Sequence, residues 1–153
     1  DADIAAALET GKVSRYVTDF PNDFITGKKG VIAIPHLGAS TPESEDNCAK
    51  MAAKQLRDYI LDGNIKNSVN LPECVLPKAD GFVRVAIINK NITNMVGQIT
   101  SVLANHKHNI EHMLNKSRGD YAYTLIDINE KPDDSCLDEL KAIDGVIRIR
   151  VIG

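Results

Sequence analysis

The residue best placed for proton-transfer chemistry is His36, which stands within Pro35-His36-Leu37-Gly38-Ala39-Ser40-Thr41. It follows Val31-Ile32-Ala33-Ile34, a short apolar run that predicts a buried strand. An imidazole exchanges a proton near neutral pH, and functional residues concentrate on loops. We therefore consider His36 a candidate general acid and base. The alternative from position alone is a histidine that only closes a loop.

The elements around His36 predict how it is positioned. Thr41 and Pro42 have the residue types of a helix N-cap and of a first helical position. We predict a helix from Thr41 to Leu61 with an apolar stripe along one face, ending at Gly63. His36 then lies just beyond the carboxyl end of a strand, which is the edge of an open α/β sheet where ligands bind.

The chain before this motif predicts one helix and one strand. The helix runs from Asp1 to Glu9 and is capped by Asp1 or Asp3, and a weak strand spans Val13 to Thr18. Two strands do not make a stable sheet alone, so the pattern is that of a piece of a larger α/β sheet.

The segment from Pro35 to Ser44 resembles the catalytic-histidine motif of the D-3-phosphoglycerate dehydrogenases, which are D-2-hydroxyacid dehydrogenases. The resemblance continues through Asn67-Ser68-Val69-Asn70-Leu71-Pro72-Glu73 to the C-terminus and so covers essentially the whole chain. A Pro-His-x-Gly motif alone is weak. The same order of motif, helix, Val-Asn-Leu-Pro linker and terminal small domain is specific. The sequence is similar only to the C-terminal part of these enzymes.

The resemblance implies hydride transfer with NAD, oxidising 3-phosphoglycerate to 3-phosphohydroxypyruvate in L-serine biosynthesis. His36 would exchange the proton of the substrate's hydroxyl or carbonyl. The family's carboxylate that holds the second imidazole nitrogen, normally a glutamate, matches Asp23, whose alternative is a turn residue. Asp19 matches a strand-end aspartate near the nicotinamide. The residues that match the backbone passing the carboxamide are Leu37, Gly38 and Ala39.

Two parts of such an enzyme do not occur in this sequence. There is no Gly-x-Gly-x-x-Gly, so the phosphate-binding turn for NAD would lie upstream. The family's substrate-binding arginine also precedes the residue that matches Asp1. We therefore expect the 153-residue chain alone neither to bind NAD well nor to turn over substrate.

The C-terminal half predicts a second fold with the order β-α-β-β-α-β, the ferredoxin-like plan. Its strands are predicted at Phe82–Ile88, Ile110–Asn115, Tyr121–Ile128 and Ile147–Val151, with helices from Met95 to His106 and from Asp134 to Ile143. We predict the α/β end of a Rossmann-like catalytic portion over residues 1–72, with a short strand from Ile65 to Leu71. A linker over residues 73–80 and an α+β domain over 81–153 follow. This domain resembles an ACT domain, the amino-acid-sensing module of many phosphoglycerate dehydrogenases.

The loop before the first helix of this domain is a candidate effector site. Backbone N–H groups at a helix start suit a carboxylate, and the Asn91 amide can bond both an amine and a carboxylate. The resemblance implies that Asn91 and Asn109 contact an amino-acid effector such as L-serine, with Asn89 standing where some members have histidine. The alternative is that these asparagines serve only as turn and cap residues.

The resemblance to ACT domains also implies that two copies of this chain pair side by side. A four-stranded sheet leaves edge strands with unpaired backbone groups, and no proline blocks the strand from Phe82 to Ile88. We expect at least a dimer, in which Asn91 of one chain faces Asn109 of the other.

The histidines of the C-terminal half and the cysteines are of residue types that can bind metals or form disulfides, but their spacing does not favour either role. The spacing of His106, His108 and His112 fits no zinc motif, so we predict no metal site. The three cysteines have no Cys-x-x-Cys spacing, which favours free thiols and a cytoplasmic setting.

The composition limits the classes of function. Apolar residues make up 43% of the chain and aromatic residues 5%, which suits an aliphatic core in one domain or two small ones. A net charge of −3 argues against a general nucleic-acid or membrane-surface partner. Two alternatives remain: an amino-acid-binding dimerisation module without catalysis, and another D-2-hydroxyacid dehydrogenase with the same tail. A Gly-x-Gly-x-x-Gly and an arginine motif upstream would separate the enzymes from the module.

Overall fold

The computed structural model describes residues 1–153 as two compact units, Asp1–Lys50 and Met51–Gly153. We call them the N-terminal and C-terminal units. The division falls within one long helix, so the chain passes between the units without a loop. The linker at residues 73–80 stays a prediction about the domains of a complete protein.

The N-terminal unit consists of helix α1 (Ala2–Glu9), strand β1 (Tyr16–Thr18) and strand β2 (Val31–Ala33). The two strands are parallel and pair from Tyr16 opposite Val31 to Thr18 opposite Ala33. The helix and both strands were predicted, although each strand is shorter than predicted.

One expectation for this unit is wrong. Strand β2 is not buried, since Ile32 is 40% exposed, and β1 is its only neighbour in the sheet. Asp1 is the N-cap residue of α1, as predicted, but its carboxylate accepts a hydrogen bond from the Asn22 side chain and not from the first turn of the helix.

Helix α2 (Pro42–Asp62) begins as predicted and ends before Gly63. The hydroxyl of Thr41 accepts a hydrogen bond from the Ser44 N–H at 3.2 Å, which confirms the N-cap. The predicted apolar stripe is not buried, because Leu56 and Ile60 are 61% and 59% exposed. No helix of the chain is both long and apolar enough to span a membrane.

The C-terminal unit contains the ferredoxin-like domain. Its elements are β3 (Val83–Lys90), α3 (Met95–Asn105), β4 (Ile110–Arg118), β5 (Tyr121–Ile128), α4 (Asp134–Ala142) and β6 (Val146–Ile152). The strands form one antiparallel sheet in the order β4-β5-β3-β6, which confirms the predicted plan. The strand predicted at Phe82–Ile88 is therefore interior, and β4 and β6 are the edges available for pairing.

Both faces of this sheet are covered. One face packs against α3 and α4, and its buried residues include Val85, Ile87, Ile126, Ile99 and Leu140. Because side chains alternate along a strand, Ala86, Tyr123 and Leu125 point to the other face. That face packs against the end of α2 and the following segment through Tyr59, Ile65, Leu71, Cys74 and Leu76.

The strand predicted from Ile65 to Leu71 does not form. Only one isolated bridge joins Ile65 to Cys74. Asn67 takes a left-handed conformation with φ of 52°, and the Ser68 hydroxyl accepts a hydrogen bond from the Leu71 N–H at 3.2 Å. These features make a turn, which explains why this segment does not extend as a strand.

Candidate functional site

The parallel pairing of β1 with β2 brings Asp19 and His36 to one edge of the N-terminal unit. Each follows the carboxyl end of its strand. His36 Nδ1 lies 3.3 Å from Asp19 Oδ2, and the Phe20 ring meets the imidazole edge-on with centroids 5.0 Å apart. The carboxylate faces one ring nitrogen, so Nε2 is left to exchange a proton with a bound molecule.

Asp23, the sequence-predicted partner of His36, forms no ion pair with it in the structure. It lies in the turn that follows Asn22, whose side-chain oxygen accepts from the Ile25 N–H at 3.1 Å and whose carbonyl accepts from the Thr26 N–H at 3.0 Å. This geometry agrees with the alternative role of Asp23 as a turn residue.

The three residues after His36 form an exposed turn, closed by a hydrogen bond from the Ser40 N–H to the Leu37 carbonyl at 3.0 Å. Leu37 is 61% exposed. A Cβ at Gly38 would meet no atom within 4 Å, and its φ lies outside the left-handed region. Neither the packing nor the backbone of this chain requires glycine at position 38. Ala39 is exposed as well.

A second site lies in the C-terminal unit, between the sheet and the start of α3. A cavity of about 150 Å³ is bordered there by Asn89, Asn91, Asn115 and residues 94–97. The Asn89 side chain is 1% exposed, and its Nδ2 donates to the Lys90 carbonyl at 2.7 Å. Its Oδ1 is buried and has no hydrogen-bond partner. An orphaned acceptor of this kind is costly unless something outside the chain donates to it.

The start of α3 presents unpaired donors to the same cavity. Asn94 takes a left-handed conformation with φ of 67°, and its side chain makes no capping hydrogen bond. The first intrahelical bond is donated by Gln98 to the Asn94 carbonyl at 3.0 Å. The preceding amides, on residues 95–97, therefore have no helical partner and form the positive end of the helix dipole.

Asn91 holds the loop in place. Its backbone N–H donates to the Asp120 carbonyl at 2.8 Å, and its side-chain amide donates to the Gly119 carbonyl at 3.0 Å. The β4–β5 turn therefore anchors the loop, which gives Asn91 a structural role beside its place at the cavity.

Asn115 is a cavity residue that the sequence analysis missed. Its Nδ2 donates to the Thr124 hydroxyl at 2.7 Å across β4 and β5, and Thr124 is buried. Met113 packs against the helices, and residues two apart on a strand share a face of the sheet. That alternation could have placed Asn115 on the helix-covered face. Asn109 does not border the cavity in its own chain, and its N–H donates to Asn129 Oδ1 at 3.0 Å.

The three histidines of this unit do not converge. His106 Nε2 lies 2.8 Å from Glu139 Oε2 and so joins α3 to α4. His112 Nδ1 lies 3.9 Å from Asp127 Oδ2, beside the Phe82 ring. No three groups of the metal-binding types come together anywhere in the chain.

The cysteines offer no nucleophile to either site. Cys48, Cys74 and Cys136 are all free thiols. Burial raises the pKa of the Cys74 thiol to about 11, and it raises the pKa of Cys136 with the help of nearby Asp133 and Glu139. Since the thiolate is the reactive form, both buried cysteines are inert near neutral pH.

Comparison with known proteins finds several D-3-phosphoglycerate dehydrogenases among the relatives. D-3-phosphoglycerate dehydrogenase of Haemophilus influenzae is 29% identical over 97% of this chain and 39% of its own length. D-3-phosphoglycerate dehydrogenase 1 of Saccharomyces cerevisiae is 32% identical over 80% of the chain and 27% of its length. D-3-phosphoglycerate dehydrogenase of Escherichia coli K12 is 31% identical over 80% of this chain and 30% of its own length. The resemblance predicted from the motifs is thereby confirmed, and the chain spans well under half of each relative.

No family model matches the chain. Among solved structures, it is similar to the ACT domain from GTP pyrophosphokinase of Chlorobium tepidum, with a TM-score of 0.42 and 21% identity over 48% of this chain and all of that one. It is also similar to the regulatory subunit of aspartate kinase from Thermus thermophilus, with a TM-score of 0.39 and 11% identity. The match covers 50% of this chain and 56% of that subunit.

Proposed function

We propose that this chain is the C-terminal part of an NAD-dependent D-3-phosphoglycerate dehydrogenase and that its small domain, residues 81–153, binds an amino-acid effector. The relatives support the first statement, and their greater length assigns the catalytic activity to a longer protein. The observation that carries the second is the buried, unpartnered Oδ1 of Asn89 beside the open start of α3.

The two halves of this cavity are complementary to a zwitterion. Asn89 Oδ1 accepts a hydrogen bond from the ammonium group, and the free amides of residues 95–97 donate to the carboxylate. The cavity volume of about 150 Å³ is about five times the volume that a water molecule occupies in the liquid. That space suits a small amino acid, and L-serine is the proposed effector.

Calorimetric titration of the 153-residue chain with L-serine tests this proposal. Asn89→Ala should weaken binding by about 10- to 100-fold, because it removes a hydrogen bond to a charged group. The matched control is Asn47→Ala, an exposed asparagine on α2. Equal serine affinity in the wild type and Asn89→Ala would exclude this site, and so would no binding by the wild type.

We further propose that two copies pair through β4. It is an edge strand of nine residues, and it carries Glu111 near one end and Arg118 at the other. Antiparallel pairing of two such strands places opposite charges across from each other. Asn115 of β4 borders the cavity, so the partner strand would run close to the bound effector, with Asn109 at its start.

For the catalytic part, His36 is the proposed general acid and base of the parent enzyme. Asp19 holds Nδ1, and Nε2 accepts the hydroxyl proton of 3-phosphoglycerate during oxidation and returns it in the reverse direction. NAD, when bound, accepts the hydride. The exposed Leu37 side chain and the open space at Gly38 fit the approach of a nicotinamide ring, which explains a glycine that the chain itself does not need.

The free thiols fit a reducing compartment, and we propose a cytoplasmic setting for the parent enzyme.

A further inference from the structure

The end of helix α2 is held by a buried arginine of the small domain. Arg84 on β3 is 1% exposed and forms a bidentate pair with Asp127 on β5, with Nε–Oδ1 and Nη2–Oδ2 distances of 2.6 and 2.8 Å. Its remaining N–H groups donate to three backbone carbonyls. These belong to Asp62 at 3.0 Å, Leu76 at 2.8 Å and Pro77 at 2.8 Å. Every donor of the guanidinium group is therefore used.

Two neighbouring strands hold the same helix end. The Tyr123 hydroxyl of β5 donates to the Gly63 carbonyl at 2.7 Å, and burial raises the pKa of this phenol, which keeps it a donor. Arg150 of β6 donates to the carbonyls of Tyr59 and Ile60 at 3.4 and 3.0 Å. Its guanidinium also lies 4.5 Å from the centre of the Tyr59 ring.

We call Arg84, Tyr123 and Arg150 the helix clamp. A helix leaves its last four carbonyls without intrahelical partners, and cations are favoured there by the helix dipole. In this chain three of those four carbonyls accept hydrogen bonds from side chains of the sheet: Arg150 donates to two of them and Arg84 to the last. Tyr123 holds the carbonyl of Gly63, the residue after the helix. Separating the end of α2 from the sheet would take the Asp62 carbonyl from the buried Arg84 and leave the helix-end carbonyls without these donors, which is unfavourable. The Arg84–Asp127 pair lies within the sheet and would stay intact.

Strand β3 connects the clamp to the effector cavity. Arg84 lies near its beginning and Asn89 near its end, five residues and roughly 17 Å along the strand. β3 is paired along both sides, with β5 and β6, and its register with β6 shifts between Ile88 and Asn89. The pairing with β5 runs unbroken from Arg84 to Asn89, and along it a shift at Asn89 reaches Arg84.

We propose that the helix clamp makes the end of α2 a fixed part of the small domain, so that effector binding at Asn89 is transmitted to α2 through β3. The transmission rests on the proposed effector site, whereas the clamp itself does not. The segment from residue 64 to 80 then does not act as a flexible linker, because Leu76 and Pro77 are bound to Arg84. The moving body under regulation is the end of α2 together with the small domain.

Hydrogen exchange measured by mass spectrometry on the 153-residue chain tests the clamp without ligand. The variants are Arg150→Met and Tyr123→Phe, and the control is Arg148→Met, an exposed arginine two residues from Arg150 on the same strand. We expect the two clamp variants to speed exchange of the Gly63 and Asn64 amides by about 2- to 10-fold each, the worth of one hydrogen bond. Equal rates in Arg150→Met and Arg148→Met would overturn the clamp.

The same experiment with saturating L-serine tests the transmission. In the wild type, we expect slower exchange both at residues 89–98 and at residues 58–77. In Arg150→Met, protection at residues 89–98 should persist while protection at residues 58–64 is reduced. Protection around Leu76 should be kept, because Arg84 still binds the Leu76 and Pro77 carbonyls. Protection confined to residues 89–98 in the wild type would overturn the transmission. Absence of any serine effect on exchange would overturn both the transmission and the effector proposal. The ligand-free comparison of the variants would still show whether the helix clamp holds the end of α2.

Discussion

At the scale of single residues, the proposed catalytic roles of Asp19 and His36 can be tested by substitution. In the full-length protein, His36→Ala should lower kcat by about 10²- to 10⁴-fold, the usual contribution of a general acid–base group. Asp19→Asn should lower kcat by about 10- to 100-fold, since it replaces a charged partner of the imidazole by a neutral one. Asp23→Asn is the matched control and should retain activity. A larger loss in Asp23→Asn than in Asp19→Asn would reverse the assignment.

A second prediction at this scale concerns Cys74. Its thiol is fully buried, and burial raises its pKa from 9.0 to about 11. A pKa raised in the folded state gives stability that is complete below pH 9 and is lost as pH rises through about 11. The difference in unfolding free energy between the wild type and Cys74→Ala, measured in urea, should therefore shrink from pH 8.5 to pH 11. A constant difference would mean that Cys74 titrates normally when folded.

The sequence was sufficient to place His36 just after a strand and to locate the connection between β3 and α3, because strand ends and helix starts can be located from residue patterns. Asn89, assigned to that connection, lies near the end of β3. The resemblance assigned Asp23 as the partner of His36 and placed Asp19 near the nicotinamide, whereas in the structure Asp19 lies beside the imidazole. Asp23 lies in the turn that follows Asn22, which only the folded chain shows. The sequence also did not reveal that Asn89 is the buried, unpaired group. That property depends on the packing of α3 over the sheet, which no local pattern contains.

At the scale of elements, the end of α2 can be tested through its glycine. Gly63 has φ of 72°, and a Cβ there would lie 3.0 Å from Ile152 and from Leu125. Gly81 has φ of 83° but open space around it. Alanine at either position costs about 1–2 kcal/mol from backbone strain. We expect Gly63→Ala to cost clearly more, because it also crowds the core. Equal unfolding free energies for the two variants would show that α2 does not pack tightly against the sheet.

The helices and strands were predicted correctly where the hydrophobic pattern and the flanking turn residues indicated the same boundaries. The bounds of β5 were predicted at both ends, because the alternation starts after Gly119-Asp120 and stops before polar residues. The prediction failed at Ile65–Leu71, where Asn67 takes a left-handed conformation and the chain turns. The apolar stripe on α2 was predicted, but the sequence does not state whether another element covers it, and Leu56 and Ile60 are exposed.

At the scale of the whole molecule, the pairing of two chains is open to a charge-reversal test. Lys116 lies on β4 and Arg148 on β6, and both are exposed on edge strands. If two β4 strands pair, Lys116→Glu brings a negative charge towards Glu111 of the second copy and should raise the dimer dissociation constant. Arg148→Glu has the same change in net charge and should leave it unaltered. Analytical ultracentrifugation measures both, and the opposite ranking would move the interface to β6.

The claim on which the account depends most is that the small domain holds an amino acid between Asn89 and the start of α3. The direct measurement is a ¹⁵N-edited NMR titration of the 153-residue chain with L-serine. The account predicts saturable shifts of the Asn89 side-chain amide and of the backbone amides of residues 95–97, all with one dissociation constant. Shifts absent from these groups, or confined to other parts of the chain, would contradict it.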